Sequence, residues 1–276
     1  MRYGFKMNKI NGVTCLSVPS FDETGLCRTC FSTRLGGVSK EPLASMNLGF
    51  GRGDKKENVL ENYRLLGKAA GFDGLKTVAF SQVHGSDVFL ATEKDSGEAF
   101  LPKKREFDAI ITSVPNLPIA TYHADCTPIF LLDTKNHAIG VAHAGWKGTA
   151  LKTPGAAIAE MIKNFSTEPE NILAAIGPAI GKCCFETHSD VPDAMLSTYG
   201  ADAKDYITAK GGGKFFVDLP GLNLQTLLNA GIPEDNITVS EECTCCKSDL
   251  YWSHRKTGGI RGTMAAVIVL NERGNM

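Results

Sequence analysis

The chain predicts an α+β fold, with mixed β-sheets packed in layers and helices flanking them. Three observations carry this. Short apolar, β-branched runs outnumber helical patterns. They come in succession rather than alternating strand with helix. And the 276 residues, 43% hydrophobic and 21% charged, contain no internal repeat, linker or low-complexity break, so residues 1–276 are expected to form one domain around a sizeable core.

The elements follow in order. Leu26–Arg34 reads as a strand closed by the turn-forming Gly36-Gly37. Ser45–Gly53 is a glycine-rich loop. Asp54 with Glu57 then resembles a capping box for a helix to Gly71, with Val59, Leu60, Tyr63, Leu66 and Ala69 at helical spacing. Strands are expected at Thr77–Val83, Val88–Ala91, Asp108–Ser113, Ile119–His123, Pro128–Asp133 and Ala138–His143. One helix is expected over Lys147–Phe165, although Pro154-Gly155 disfavours its first turns. Ile172–Ile176 is a buried strand and Asp190–Tyr199 a helix stopped by Gly200. A short extended Lys214–Val217 precedes a helix over Leu219–Ala230 with Gly231 at C′. Ile237–Ser240 and Met264–Leu270 complete the strands.

Composition excludes several classes. A net charge of -1 gives no electrostatic case for nucleic acid or an anionic membrane surface. Met1–Ser20 has no signal-peptide core, and no apolar run is long enough to span a bilayer, so a cytoplasmic protein is expected. Nine cysteines, an odd number with adjacent pairs at Cys183-Cys184 and Cys245-Cys246, suit reduced thiols better than a disulfide framework. Two Cys-x-x-Cys spacings, Cys27…Cys30 and Cys243…Cys246, would suit a four-cysteine zinc site only if they met. Cys27 and Cys30 sit in a strand, where residues three apart face opposite ways, so small buried hydrophobes are the favoured reading.

The chemistry-bearing residues are His84, at the end of an apolar strand, and Cys126 and His143, at the two ends of an expected buried hairpin. Three soft ligands arriving from loops, with no fourth, is the pattern of a zinc site that keeps a position open for chemistry. The same residues leave a Cys126–His143 nucleophile pair open. Asp125 is a candidate for orienting a histidine, and His123, three residues before Cys126, is expected to be a neighbour rather than a ligand. Dinucleotide, phosphate-loop, zinc-deaminase and nucleophile-elbow signatures are all absent.

Phe31-Ser32-Thr33-Arg34-Leu35-Gly36-Gly37, Ser45-Met46-Asn47-Leu48-Gly49, Gln82-Val83-His84-Gly85, Ala124-Asp125-Cys126-Thr127-Pro128, Ala142–Gly148 and Ile176–Gly181 together resemble the YfiH family, over about residues 31–270. This family is also called the laccase-domain or multicopper polyphenol oxidase family. The resemblance implies a layered α+β fold similar to cysteine-hydrolase-like toxin domains, and a zinc held by His84, Cys126 and His143. It implies phosphorolysis of adenosine, inosine, guanosine and methylthioadenosine, with deamination of adenosine at the same site. Copper-dependent oxidation of phenols and editing of peptidoglycan precursors are further labels in the family. Two histidines and a cysteine would also suit a copper centre, so copper stays open as the metal. A chain with six histidines, however, lacks the additional histidine cluster that a multicopper oxidase uses on dioxygen.

Phosphorolysis needs a site for a phosphate anion, which arginine forks suit. Arg34 and Arg255 are the expected anion or substrate contacts, Asn47 a ribose or base contact, and Cys126, His143 and Asp125 the expected catalytic groups. The chain departs from the family at Ser253–Met264, where the loop after Arg255 differs in length and leaves the role of Arg261 open. Lys147 stands where arginine is common. Nucleosides and phosphate are the expected partners. Monomer and homodimer are equally open.

Overall fold

A computed structural model describes residues 2–101 and 105–272. Strands β1 (Arg2–Tyr3), β2 (Lys6–Ile10) and β3 (Val13–Ser17) are followed by a short helix α1 (Pro19–Asp22), β4 (Cys27–Ser32) and the helix α2 (Lys56–Ala70). Strands β5 (Val88–Leu90), β6 (Ala109–Thr112), β7 (Ile119–His123), β8 (Thr127–Asp133) and β9 (Ala138–Ala144) come in succession. Helices α3 (Trp146–Ala150) and α4 (Thr153–Phe165) then lead to β10 (Ile172–Ile176), β11 (Glu186–Thr187) and helix α5 (Asp190–Tyr199). The chain closes with β12 (Ile207–Gly211), β13 (Lys214–Val217), α6 (Leu219–Asn229), β14 (Ile237–Val239), α7 (His254–Thr257) and β15 (Met264–Leu270).

The expected layering is present. A mixed seven-stranded sheet of order β1-β14-β10-β8-β9-β6-β5 faces an antiparallel five-stranded sheet of order β2-β3-β4-β15-β7. A three-stranded sheet, β11-β13-β12, lies to one side. Parity along the strands explains the stacking. In β15, Met264, Ala266, Ile268 and Leu270 turn into the core between the large sheets, together with Phe31, Phe130, Ile139 and Val141. Ala265, Val267 and Val269 turn the other way, onto Val59, Tyr63 and Leu66 of α2. In β8, Ile129 and Leu131 face Ile158 and Met161 of α4 and Leu227 of α6. Strands buried on both faces read as unbroken apolar runs, and that is the form these segments take in the sequence.

Three expectations are corrected, and one hairpin is added. Thr77–Val83 is not a strand: it forms only isolated bridges, Val78 to Ile119 and Ser81 to Glu106, because it pairs briefly with two different segments. The expected Lys147–Phe165 helix is two helices, broken where Lys152 adopts φ 55° ahead of Pro154. Asp54 does not cap α2. Lys55 holds the cap position, and Asp54 accepts instead from Asn47, Lys55 N–H and Asn58. The hairpin β2–β3 was not expected, although Asn11-Gly12 turns it with φ 52° and 84°, the two-residue turn that asparagine and glycine favour. Among the described residues, no helix is long and apolar enough to cross a membrane.

Candidate metal centre

Cys126 ends the β7–β8 connection and His143 lies in β9. The antiparallel register that pairs Pro128 with His143 brings them to the same end of the hairpin. His143 shares the parity of Val141 and turns toward the five-stranded sheet. His84 reaches the same point from the 81–87 loop, with its Nε2 3.8 Å from Cys126 Sγ. One ligand atom each from His84, Cys126 and His143 lies within 4.8 Å of the others. Zinc–sulfur and zinc–nitrogen bonds at a tetrahedral angle separate N from S by about 3.6 Å, so the donor set fits zinc with little movement.

What places the histidines is Asp108, expected from the sequence only as the first residue of a strand. Its carboxylate is fully buried. Oδ1 accepts from His143 Nδ1 (2.8 Å) and from His84 N–H (3.1 Å), while Oδ2 accepts from Gly85 N–H (2.7 Å) and Val83 N–H (3.1 Å). Three consecutive N–H groups converge on one anion because His84 adopts φ 61°, a strained conformation for histidine that the carboxylate holds in place. With Nδ1–H committed to Asp108, His143 is left with Nε2 facing the cysteine, the tautomer a metal requires. Burial raises the Asp108 carboxyl, but the hydrogen bond from His143 and the backbone N–H groups outweigh it and hold it below the usual range. Close packing also excludes a side chain at Gly145, where a Cβ would come within 2.6 Å of His84 Cδ2 and 3.0 Å of Cys126 Sγ.

Burial would push the Cys126 thiol up. The charge and hydrogen bond of His143, then those of His84, overcome this and bring it down to about 6. Burial would likewise lower His143, yet the Cys126 charge and Asp108 raise it to about 9. The metal-free pair is therefore thiolate and imidazolium near neutrality. His123 is a neighbour, as expected. Its Nδ1–H donates to the Cys126 carbonyl (3.0 Å), and Nε2 accepts from Thr121 Oγ1 (2.8 Å), so both nitrogens are used.

Two cavity lobes share this centre. One, about 450 Å³, is lined by Trp146, Ile180, Phe185 and Leu219, with Asp125, His254 and Arg255 at its polar points. The other, about 420 Å³, is more polar and presents Arg52, Ser81, Gln82 and Thr263. Arg261 lines both. Its Nη1 donates to Gly262 O and Thr263 Oγ1, while its Nε is buried with no protein partner. Burial, and then the neighbouring Arg52, lowers its pKa to about 10. Neither guanidinium pairs with a carboxylate among the described residues.

Of the expected substrate contacts, the structure brings only Arg255 to the cavity. Arg34 lies over the Trp252 ring (4.0 Å) and donates to Ser248 O and Ala44 O, locking two loops together. Asn47 is wholly buried, with its amide spent on Gly49, Asp54 and Thr263. Asp125 orients no histidine. At φ 85°, it accepts from Thr244 Oγ1 (2.7 Å) and Arg255 N–H (2.7 Å), while its carbonyl accepts from Ile180 N–H (2.8 Å), so it fixes the lobe's rim. The signal for Arg261 is its place in a loop beside a family motif, which the departure in loop length obscures. For Asp108 it was a lone aspartate opening an otherwise apolar strand.

The class of protein these features define is a layered α+β fold with a histidine–cysteine–histidine group, able to hold a metal ion, at the hairpin end. The chain belongs to the multi-copper polyphenol oxidoreductase laccase family, which matches residues 28–271. It is 35% identical to purine nucleoside phosphorylase YlmD of Geobacillus stearothermophilus over 244 residues, 86% of this chain and 88% of that one. It is 34% identical to purine nucleoside phosphorylase YfiH of Escherichia coli over 255 residues, 92% and 98% of the two chains. The crystal structure of Bacillus licheniformis hypothetical protein YfiH superposes with a TM-score of 0.91 at 30% identity, covering 97% of this chain and 99% of that one.

Proposed function

We propose that this chain is a zinc-dependent purine nucleoside phosphorylase acting on adenosine, inosine, guanosine and methylthioadenosine, with adenosine deamination at the same centre. The observation that carries it is the placement of the donor cluster between two lobes: His84 and Cys126 line both the aromatic lobe and the lobe that presents Arg52, and His143 lines the second. The names of the relatives support it.

In this reading the base of the nucleoside lies in the first lobe, against Trp146 and Phe185. Arg261 and Arg52 hold phosphate in the second, the buried Nε of Arg261 supplying a donor that the protein leaves unused. Arg255 reaches substrate from the rim. Phosphate attacks C1′ as the bond to the purine nitrogen breaks, giving ribose 1-phosphate and free base. His84, Cys126 and His143 would hold the metal; Asp108 orients the His143 ring and fixes the backbone at His84; Asp125, Arg34 and Asn47 hold the loops around them. Zinc bound there would supply a Lewis acid for the reaction.

A second reading has a specific observation behind it. Cys126, His143 and Asp108 also form the chain of contacts of a cysteine hydrolase, with a lowered thiol beside an oriented imidazole. Product analysis separates the two. Metal-loaded protein given adenosine should yield adenine and ribose 1-phosphate only with phosphate, and inosine without it. Both products should vanish in His84→Ala, which leaves Cys126, His143 and Asp108 in place. No turnover of any purine nucleoside by zinc-loaded protein would refute the proposal. Retention of activity in His84→Ala together with loss on cysteine alkylation would establish the hydrolase arrangement instead.

A further inference from the structure

The sequence offered Cys243…Cys246 a partner pair in Cys27…Cys30, and the fold supplies a different one. Cys27 points into the core between the sheets and Cys30 onto the α2 side, both buried. Cys183 and Cys184, in the loop after β10, come instead to Cys243 and Cys246, in the loop after β14. One sulfur from each of the four lies within 4.8 Å of the others. Cys183 Sγ is 3.8 Å from Cys184 Sγ and 3.6 Å from Cys246 Sγ, and Cys184 Sγ is 3.4 Å from Cys246 Sγ. Four thiolates at zinc–sulfur bonds of 2.3 Å form a tetrahedron with edges of about 3.8 Å. These three separations lie at or just under that edge, and the Cys243 sulfur is within 4.8 Å of the other three.

The backbone prepares the arrangement. Cys184 and Phe185 N–H both donate to Gly181 O (3.0 Å each), a tight turn that brings adjacent cysteines toward one point. Ala179 and Cys243 form a parallel bridge between the two loops, and Thr244 N–H donates to Ala179 O (2.9 Å). Gly181 N–H donates to Cys243 Sγ (3.2 Å), and a Cβ on Gly181 would press on Cys183 Sγ and Cys243 Cβ at 3.3 Å. The Arg255 guanidinium sits on Cys184 O (2.9 Å), which suits the net double negative charge of a zinc tetrathiolate.

We propose that Cys183, Cys184, Cys243 and Cys246 form a second metal site, a closed four-thiolate site for zinc or a similarly soft divalent cation, separate from His84, Cys126 and His143. Binding displaces the thiol protons to solvent. Four protein ligands leave no open position, so the role is structural. The site clips together the two loops that carry Ile180, Phe185 and Thr244, and through Asp125 and Arg255 it braces the rim of the first lobe.

The test is metal content per chain in full-length protein purified under reducing conditions with zinc, combined with cobalt substitution. Wild type should hold two equivalents. The His84→Ala/Cys126→Ala double variant should hold one and, with cobalt, keep the intense sulfur-to-metal charge-transfer band of a tetrathiolate. Cys183→Ser/Cys246→Ser should also hold one, without that band. The exposed Cys183 and Cys246 should resist alkylation in the metal-loaded wild type and react once a chelator is added. No metal in the His84→Ala/Cys126→Ala variant, or fast alkylation of Cys183 and Cys246 in metal-loaded wild type, would overturn the proposal. So would a mass lower by two hydrogens, showing a disulfide among the four. Because the cobalt band is read on the His84→Ala/Cys126→Ala variant and the alkylation on wild type, a poorly folding serine variant does not rescue or sink it.

Discussion

Replacing Asp108 with asparagine tests whether one buried carboxylate builds the metal centre. The carboxylate accepts four hydrogen bonds, two at each oxygen: His143 and His84 N–H at Oδ1, Gly85 and Val83 N–H at Oδ2. Asparagine keeps one carbonyl oxygen and puts an NH₂ in place of the other. Whichever way the amide lies, two buried donors lose an acceptor and meet a donor instead. At about 1.5–3 kcal/mol for each hydrogen bond to a charged group, the loss is about 3–6 kcal/mol, shared between folding of the 83–85 loop and metal binding. Loss of the partner that orients a ligand histidine by itself weakens metal affinity by about 10–100-fold. Asp108→Asn should therefore lower the urea midpoint and weaken zinc binding, measured by competition against a chromogenic chelator. Wild-type zinc affinity and an unchanged midpoint would refute the claim that Asp108 positions His84 and His143. The pH dependence has a sign. Because the folded carboxyl lies below its unfolded value, its contribution is present above about pH 4 and is lost as the pH falls through the lower folded value.

In metal-stripped protein, Cys126 should alkylate with a rate whose midpoint is near pH 6 rather than the 9.0 of an ordinary thiol, and His143→Ala should move that midpoint up; the check is mass-resolved labelling of Cys126 against pH. Arg261→Met should raise the KM for phosphate about tenfold or more while leaving zinc content unchanged, whereas Arg34→Met should lower thermal stability by about 1–2 kcal/mol without touching either, a contrast read by kinetics and calorimetry. Gly145→Ala places a Cβ 2.6 Å from His84 Cδ2 and should cost at least tenfold in zinc affinity, by the same chelator competition.

The fold was legible where burial on both faces writes unbroken apolar runs, as in β8, β9, β10 and β15. Thr77–Val83 shows why that signal fails elsewhere. Val78, Ala79 and Phe80 are buried like strand residues, but Val78 N–H donates to Pro118 O and Ser81 N–H to Arg105 O, two different segments, and composition records burial rather than pairing. The cluster of candidate metal donors was legible because soft ligands at the ends of apolar strands are chemically distinctive. Asp108 was not: an aspartate beginning a strand carries no mark of the three backbone N–H groups it will gather from a loop 23 to 25 residues upstream. Asn47 and Arg34 misled for the converse reason. Polar groups inside glycine-rich loops look available for substrate, and here the loops use them to satisfy their own backbone.

The two readings of the centre differ in what His84 is for. A cysteine hydrolase needs Cys126, His143 and Asp108 and gains nothing from a second imidazole 3.8 Å from its nucleophile. Holding that imidazole there requires His84 at φ 61°, a conformation costing on the order of 1–3 kcal/mol, and it occupies the space a Gly145 side chain would take. A metal centre accounts for both, since it needs a third donor and an oriented ring. Near neutrality the metal competes with one proton, the one His143 carries at about 9 in the free pair. Zinc affinity should therefore rise about tenfold per pH unit from pH 6.5 to 8.5, as His143 gives up that proton while Cys126 is already a thiolate. Below about 6 the slope should steepen as the thiolate takes a proton too. A flat profile across neutrality would show that the cysteine–histidine ion pair does not exist in the metal-free protein.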